Sequence, residues 1–425
     1  MLKKKYLQHK ETIHNFFWRA LQIAGKQGTT FAIFFIAAYF LIPEQLGLFS
    51  YLMALVGLLI IACDFGLSLA TSKYVAEYKT KNSQDLDKIL FSVSLLSVGL
   101  ATLISLFVIF AGKYLFKEYI LLLYLLPYLF FFPLTSILDG VYRGLKEFRK
   151  LSIITVIISG VCLILSFFLI KNYLLVGAMI SQNILFILLT VFLFAFRKET
   201  KFKANKIIIK NIGKYALIIG ITSLMFFLYT KADIIILKYF GFVEEIGYYE
   251  IINKIFQILI IPFMLFGQVI APNITKYYTQ KNYSLVIKKL RKHFILGVVF
   301  SIILTTLIYF CFPILIKTFL DKYFTEATIL IFNIIIFILP LRFIAAIVNH
   351  GHTLATGNAH FNMIVMIPAG IANILLDFYF IYLFGFIGVI YSTLVCYSFA
   401  TISFMILYYL KLNRLIKDEK NKKSP

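Results

Sequence analysis

Charged residues are scarce in this sequence. Only 14% of its 425 residues are Asp, Glu, Lys or Arg, whereas soluble proteins carry about 25%. Hydrophobic residues make up 61% of the chain, well above the roughly 45–50% of globular proteins. This composition excludes a soluble fold, and the length allows about a dozen membrane crossings of ~20 residues each. We therefore predict an all-α polytopic membrane protein.

Several signatures of enzymes and metalloproteins are also missing. Each of the four cysteines lies alone in an apolar segment, so neither a disulfide framework nor a thiolate metal centre is expected. No Gly-x4-Gly-Lys-Ser/Thr motif occurs, which excludes a P-loop ATPase on this chain. The net charge of +23 comes from short basic segments between apolar runs. Because membrane proteins retain such segments in the cytoplasm, the charge does not indicate nucleic-acid binding.

The apolar runs predict twelve membrane spans. They lie at 15–42, 46–71, 89–112, 119–142, 151–170, 173–196, 212–240, 246–271, 294–316, 326–349, 361–384 and 386–410. The segments on one side of these spans contain 31 Lys and Arg residues and those on the other side contain 6. Because Lys and Arg are enriched on the cytoplasmic side, we expect a multi-pass protein of the cytoplasmic (inner) membrane with both termini in the cytoplasm.

The two halves of the chain resemble each other in sequence. Residues Pro43–Phe49 are echoed by Val243–Tyr249 at an offset of 200, and Val176-Gly177 is echoed by Ile387-Gly388. An even number of spans per repeat gives both halves the same orientation. We therefore predict two parallel six-helix bundles with a cleft between them. Their predicted ranges are 1–197 and 212–425, with a cytoplasmic linker at 198–211 and a basic tail at the C-terminus.

The first span carries a polar stripe at helical spacing that contains Arg19, Gln22 and Lys26 but no acidic residue. Lys26 lies about 11 residues from the cytoplasmic end, or ~16 Å deep. This depth is too great for comfortable snorkelling. Lys26 therefore either pairs with a carboxylate such as Asp64 or is exposed in a central cavity that attracts an anion. Arg19 is closer to the cytoplasmic end, where it and Asp139 are able to snorkel.

The second half of the chain contains intramembrane acids as well as cations. Glu250, Asn253, Lys254 and Gln257 form a polar stripe on the eighth span. We expect them, together with Asp64 of the second span, to line the cavity, although Glu250 and Lys254 at i,i+4 are also able to neutralise each other.

Four oxygen-bearing side chains in this half suggest a cation site. Asn373 and Asp377 lie at i,i+4 on the eleventh span, Asp233 lies on the seventh and Thr393 on the twelfth. Two carboxylates, an amide carbonyl and a hydroxyl suit a hard cation such as Na⁺, or a shared proton. The alternative is that Asn373 and Asp377 only form hydrogen bonds to neighbouring helices.

These features together resemble the multidrug/oligosaccharidyl-lipid/polysaccharide exporter superfamily. The resemblance rests on two parallel sets of six spans, the Glu-x-x-Gly turn before the second and eighth spans, and Asp233 near the outer end of the seventh span. Within this superfamily, the chain is most similar to polysaccharide-biosynthesis flippases. The resemblance implies a MATE-like, lipid flippase-like arrangement of the helices.

Similarity to the related lipid II flippases implies roles for individual residues. By this similarity, Arg19, Lys26 and Lys254 bind pyrophosphate, and Asp233, Asn373, Asp377 and Thr393 hold sodium. We add Gln22 and Arg342, which also lie within predicted spans, to the anion-binding set. The sequence departs from that pattern because it has Lys in place of Arg at two positions and lacks two C-terminal spans.

The expected function is export of an undecaprenyl-pyrophosphate-linked oligosaccharide for O-antigen or capsule synthesis, by alternating access coupled to sodium or protons. We expect no cofactor and a monomer, with the lipid-linked substrate, membrane lipids, and a polymerase and glycosyltransferases of the same pathway as partners. A cation-coupled multidrug antiporter of the same fold is the main alternative. A membrane polymerase or ligase is a weaker alternative because the external connections are short.

Overall fold

The computed structural model describes residues 2–81, 86–197, 206–358 and 360–421, which form helices and short connections without a β-strand. The helices of the first half are α1 (Leu2–Phe40), α2 (Pro43–Asp64), α3 (Leu67–Lys81), α4 (Leu86–Leu115), α5 (Tyr119–Leu123), α6 (Leu126–Gly144) and α7 (Phe148–Ala195). Those that follow are α8 (Lys206–Tyr239), α9 (Val243–Thr279), α10 (Tyr283–Phe319), α11 (Glu326–Ile335), α12 (Ile338–Val348), α13 (His360–Phe384) and α14 (Ile387–Asn421).

The helices account for the twelve predicted membrane spans. Within the described ranges, nine helical segments are long and apolar enough to cross a membrane, and α11 with α12, bent by 45°, makes a tenth. The 48-residue α7 contains a kink at Leu174, so it accounts for two predicted spans. The remaining span is α1, a 39-residue helix whose middle carries the polar stripe. The prediction of an all-α polytopic membrane protein is therefore confirmed.

Three spans predicted as single helices are broken. The second span divides into α2 and α3 at Phe65 and Gly66, which have φ of 38° and 83°. The fourth divides just before Pro127, at the start of α6, and the tenth divides just before α12. In α12 the third residue is Pro340, whose ring clashes with the carbonyl four residues earlier and so bends the chain there.

The chain forms two compact units, unit 1 (Met1–Leu224) and unit 2 (Met225–Pro425). The boundary falls within α8 because the two parts of this helix have different neighbours. Gly220 lies directly against Phe65 of unit 1, whereas Gly370 of α13 lies against the backbone of Met225 and Tyr229. Residues 198–205 of the predicted linker and 422–425 of the basic tail lie outside the described residues.

The two units form their last helical hairpin in the same way. The turn has a positive φ at Leu174 (47°) in unit 1 and at Gly385 (62°) in unit 2. Three residues later, Gly177 and Gly388 lie against the preceding helix. A Cβ atom would be 2.1 Å from the Leu169 carbonyl oxygen at Gly177 and 2.2 Å from the Phe380 carbonyl group at Gly388. Only glycine allows this close approach.

Candidate functional site

The cation of Lys26 in unit 1 lies among aromatic rings. Helix α1 packs against α7, and the Lys26 ammonium is 5.3 Å from the ring centroid of Phe186 and 5.5 Å from that of Phe132. These rings contact each other and Tyr128. Among the described residues, Lys26 forms no hydrogen bond or ion pair. Cation–π contacts attract the ammonium without neutralising its charge, so the charge remains available to an anion.

Asp64 has a local structural role. Its carboxylate accepts hydrogen bonds from the backbone N–H groups of Gly66 and Ser68 and from the Ser68 hydroxyl. It therefore satisfies amide groups at the start of α3 that have no partner within the helix. These hydrogen bonds give Asp64 a structural role that does not require an ion pair with Lys26.

Arg19 forms an ion pair with Asp139, which the sequence did not predict. Its Nη1 atom is 2.9 Å from Asp139 Oδ1 on α6 and also donates to Gln22 Oε1. Arg143 lies 3.5 Å from the same carboxylate oxygen. Two guanidinium groups therefore share one carboxylate, and the cluster retains a net positive charge. Gln22 is almost fully buried and orients Arg19 from one helical turn away.

In unit 2, Asp233 and Thr393 are joined through a tyrosine. The hydroxyl of Tyr249 on α9 donates to Asp233 Oδ2 over 2.5 Å and lies 3.4 Å from Thr393 Oγ1. The other carboxylate oxygen of Asp233 accepts from the backbone N–H of Ile234. All three side chains are buried. This arrangement brings two of the four predicted cation ligands to one place.

The other two predicted ligands form a cluster on α13 and α14. Asn373 Nδ2 donates to Asp377 Oδ2 over 3.0 Å, and the hydroxyl of Ser392 donates to Asp377 Oδ1. Asp377 is fully buried, and it is close enough to Asp233 for the two carboxylates to interact electrostatically. The hydrogen bond from α14 is of the kind that the simpler packing interpretation predicted. It is nevertheless compatible with a cation site, because hydroxyl oxygens are also ligands.

Glu250 forms an ion pair with a residue of another helix. Lys231 Nζ on α8 lies 2.8 and 2.9 Å from the two carboxylate oxygens of Glu250. Lys254, predicted as its partner at i,i+4, also interacts with Glu250 electrostatically. Asn253 interacts with both Glu250 and Tyr249. Gln257 lies on α9, one turn beyond Asn253.

Arg342 packs on an aromatic pair in unit 2. Its guanidinium lies 4.4 Å from the ring centroid of Tyr397, which in turn packs against Tyr229. Its Nε atom is buried and has no hydrogen-bond partner among the described residues. Arg342 therefore keeps an unused donor, and its predicted role in anion binding stays a prediction.

Sequence reasoning missed Tyr249, Ser392 and Lys231 as parts of these clusters. Ser392 is adjacent to the predicted ligand Thr393, so its position was a usable signal. Tyr249 gave no such signal, because tyrosine is common near membrane interfaces. Lys231 lies two residues from Asp233, but its partner depends on how α8 and α9 pack.

The donor set of unit 2 fits a hard cation. Asp233 and Asp377 supply carboxylate oxygens, Thr393 supplies a hydroxyl, and the Asn373 amide supplies a carbonyl oxygen. These are ligand types that suit Na⁺ and other hard cations. The carboxylates are also able to hold a proton, and either ion would relieve the repulsion between two buried acids.

Comparisons with known proteins agree with this architecture. Residues 12–278 match the family described as Polysaccharide biosynthesis protein, and residues 218–379 match the MatE family. No curated protein sequence matches the chain significantly.

Solved structures with the same fold cover nearly the whole chain. An inward-facing multidrug resistance MATE family transporter of the MOP superfamily is 16% identical with a TM-score of 0.79, over 94% of this chain and 96% of that chain. The lipid II flippase MurJ in an inward closed conformation is 20% identical with a TM-score of 0.72, over 95% and 89%. A MOP superfamily transporter from Pyrococcus furiosus is 16% identical with a TM-score of 0.66, over 96% of each chain.

Proposed function

The chain belongs to the polysaccharide biosynthesis protein family and is a membrane transporter of the MOP superfamily, and from this premise we propose that it moves a polyprenyl-pyrophosphate-linked oligosaccharide across the membrane. The substrate combines an anionic headgroup with a neutral or polar glycan. We propose undecaprenyl pyrophosphate as the lipid carrier and a surface polysaccharide such as O-antigen or capsule as the product. Transport by alternating access would deliver the repeat unit to the outer leaflet.

The observation that carries this proposal is the environment of Lys26. The Lys26 ammonium contacts the rings of Phe132 and Phe186, and Asp139 and Asp64 act on it electrostatically without forming a direct ion pair. Burying a charge in a membrane without a directly paired counter-ion costs several kcal/mol, which suggests that a ligand supplies the paired negative charge. A pyrophosphate group has that charge. The excess of guanidinium over carboxylate at Arg19, Asp139 and Arg143 adds to the attraction.

The buried carboxylates of Asp233 and Asp377 in unit 2, with the side chains that form hydrogen bonds to them, are called the acidic cluster. This cluster supports coupling to a cation. A flippase without an ATPase must use an ion gradient to move lipid against its own gradient. One positive charge that enters with the membrane potential supplies ~2.3 kcal/mol per 100 mV. We propose that Asp233, Asn373, Asp377 and Thr393 hold this cation. Sodium is favoured over a proton because amide and hydroxyl oxygens complete an ion shell that a proton does not need.

A cation-coupled multidrug antiporter is the second candidate. The MatE match over residues 218–379 and the buried acids in that range favour it. An organic cation would, however, be repelled by Lys26 and by the positive cluster at Arg19. We therefore place this candidate second.

The topology and the partners follow from the proposed substrate. Both termini would lie in the cytoplasm of a cytoplasmic (inner) membrane protein, next to the glycosyltransferases that build the lipid-linked repeat. A polymerase of the same pathway would receive the product on the outer side. We propose that the transporter acts as a monomer.

Binding measurements on the purified protein separate the two candidates. The ligands are a fluorescent undecaprenyl-pyrophosphate oligosaccharide and a cationic dye such as ethidium, each added to protein in lipid nanodiscs. We expect saturable binding of the lipid-linked sugar that unlabelled undecaprenyl pyrophosphate displaces, and no saturable binding of the dye. Saturable dye binding without binding of the lipid would overturn the proposal in favour of the antiporter.

A further inference from the structure

One short hydrogen bond of the acidic cluster comes from a residue that no cation-site pattern predicted. Tyr249 O–H donates to Asp233 and lies near Thr393, so its oxygen is already in contact with two proposed cation ligands. A phenol hydroxyl has one proton and two acceptor lone pairs. While the proton points at Asp233, it occupies a carboxylate lone pair that a cation would otherwise use.

A cation at Asp233 would repel the phenol proton, which therefore needs a second acceptor. Asn253 lies one turn from Tyr249 on α9 and interacts with it. Its amide carbonyl is able to accept a hydrogen bond, and its NH₂ group is able to donate to Glu250, with which it also interacts. Glu250 is held in turn by Lys231 over 2.8 Å. Asn253 therefore interacts both with Tyr249 and with the Glu250 carboxylate that Lys231 holds.

We propose that Tyr249 is a fifth oxygen ligand of the cation and a determinant of sodium binding, and that Asn253 positions it by accepting its hydrogen bond when the cation is present. Rotation of one hydroxyl bond exchanges the donor for a lone pair, without movement of the helices. This inference rests on the proposed cation coupling and adds a residue pair to it. Tyr249 would touch the ion, whereas Asn253 acts only through Tyr249.

Measurement of sodium affinity in three variants tests this proposal. The full-length protein in nanodiscs is titrated with ²²Na⁺, and Tyr249→Phe removes only the hydroxyl. Loss of a supporting partner typically costs 10–100-fold in metal affinity, so we expect Tyr249→Phe to bind sodium about 10-fold more weakly. Asn253→Leu should also weaken binding, although it removes no proposed ligand.

Tyr248→Phe is the matched control. Tyr248 is the neighbouring residue on α9, and its hydroxyl donates to Glu244 rather than to the acidic cluster. This variant should bind sodium like the wild type. Wild-type affinity in Tyr249→Phe would overturn the proposal, and wild-type affinity in Asn253→Leu would overturn the positioning role.

Thermal unfolding distinguishes a ligand role from a purely structural one. Sodium that binds the folded state raises the melting temperature. In choline chloride, Tyr249→Phe should melt below the wild type, because Asp233 loses a buried hydrogen bond, and its sodium-induced increase should also be smaller. Equal increases in both proteins would overturn the ligand role. Absence of sodium binding in the wild type itself is a different result, because it would remove the proposed coupling and not Tyr249 alone.

Discussion

Units 1 and 2 form their last helical hairpin alike but place different charges within their helices. Leu174 and Gly385 turn the chain at equivalent positions, 211 residues apart in sequence. At the next helix start, Gly177 and Gly388 approach the preceding helix equally closely. The backbone conformation of this hairpin is therefore repeated in the two units, in agreement with the sequence similarity of the two halves.

The charged groups are not repeated. Unit 1 surrounds Lys26 with aromatic rings and has two guanidinium groups on one carboxylate. Unit 2 has the two buried acids Asp233 and Asp377, which are held by hydroxyl and amide donors. The repeat therefore specifies helix geometry, while the charged side chains are set separately in each unit. This difference is consistent with an anion bound through unit 1 and a cation bound through unit 2.

The largest expected effect comes from breaking the feature that both units share. At Gly177 or Gly388 an added Cβ would be 2.1–2.2 Å from backbone atoms of the preceding helix. We expect Gly177→Ala and Gly388→Ala each to lower stability by more than about 3 kcal/mol, a size reserved for specific steric defects. The measurements are the yield of monodisperse protein and its melting temperature.

Gly160, which lies on α7 like Gly177, provides the control. Gly160 has nothing within 4 Å of its added Cβ, so Gly160→Ala should leave yield and melting temperature unchanged or slightly raised. If only one of the two hairpin glycines proves sensitive, the two units do not share this packing constraint.

The second-largest expected effect concerns the charge of Lys26, which distinguishes unit 1 from unit 2. Lys26→Ala removes the charge that unit 1 places among Phe132 and Phe186. We expect the affinity for undecaprenyl pyrophosphate to fall by about 10–100-fold, since charged hydrogen bonds contribute about 1.5–3 kcal/mol. Lys26→Arg should keep most of the affinity. Sodium affinity should be unchanged in both variants, because the proposed cation site lies in unit 2.

Lys171→Ala is the control for general charge removal, since Lys171 is an exposed residue near the kink of α7. Its affinity for undecaprenyl pyrophosphate should equal that of the wild type. An unchanged affinity in Lys26→Ala would contradict the anion-binding role of Lys26.

The sequence predicted the helices better than it predicted their breaks. Apolar length is a local property, so all twelve spans were visible from hydropathy. The break at Gly66 reflects close packing, because an added Cβ would meet Ala216 and Ile219 of α8. Such a contact between residues far apart in the chain is not visible in any local stretch of the sequence. Near Pro127 and Pro340 the sequence did contain a signal for the other two breaks.

Within the candidate site, the residues on one helix were predictable and the contacts between helices were not. The i,i+4 spacing placed Asn373 and Asp377 on one face, and the structure joins them by a hydrogen bond. The same spacing suggested Lys254 for Glu250, with which it interacts, but it gave no sign of the ion pair with Lys231 from α8. Spacing specifies neighbours within a helix, whereas the partners across helices depend on tertiary packing.

The smallest expected effect concerns the ion pair of unit 1. Arg19 and Asp139 are 2.9 Å apart but partly exposed, with 26% and 12% of their side chains accessible. A double-mutant cycle with Arg19→Gln and Asp139→Asn should give a coupling energy of about 1 kcal/mol, near the upper end for exposed pairs. Chemical denaturation in mixed micelles measures it. A coupling near zero would show that Arg143 replaces Arg19 as the partner of Asp139.

The most direct test of sodium-coupled transport is to follow movement of the substrate under an imposed sodium gradient. Proteoliposomes are loaded with labelled undecaprenyl-pyrophosphate oligosaccharide, and its transfer between leaflets is followed with sodium higher on one side, higher on the other, or replaced by choline. We expect transfer to accelerate towards the side with more sodium and Asp377→Asn to abolish this acceleration. Equal transfer rates under all three conditions, or a full sodium response in Asp377→Asn, would contradict sodium coupling at this site.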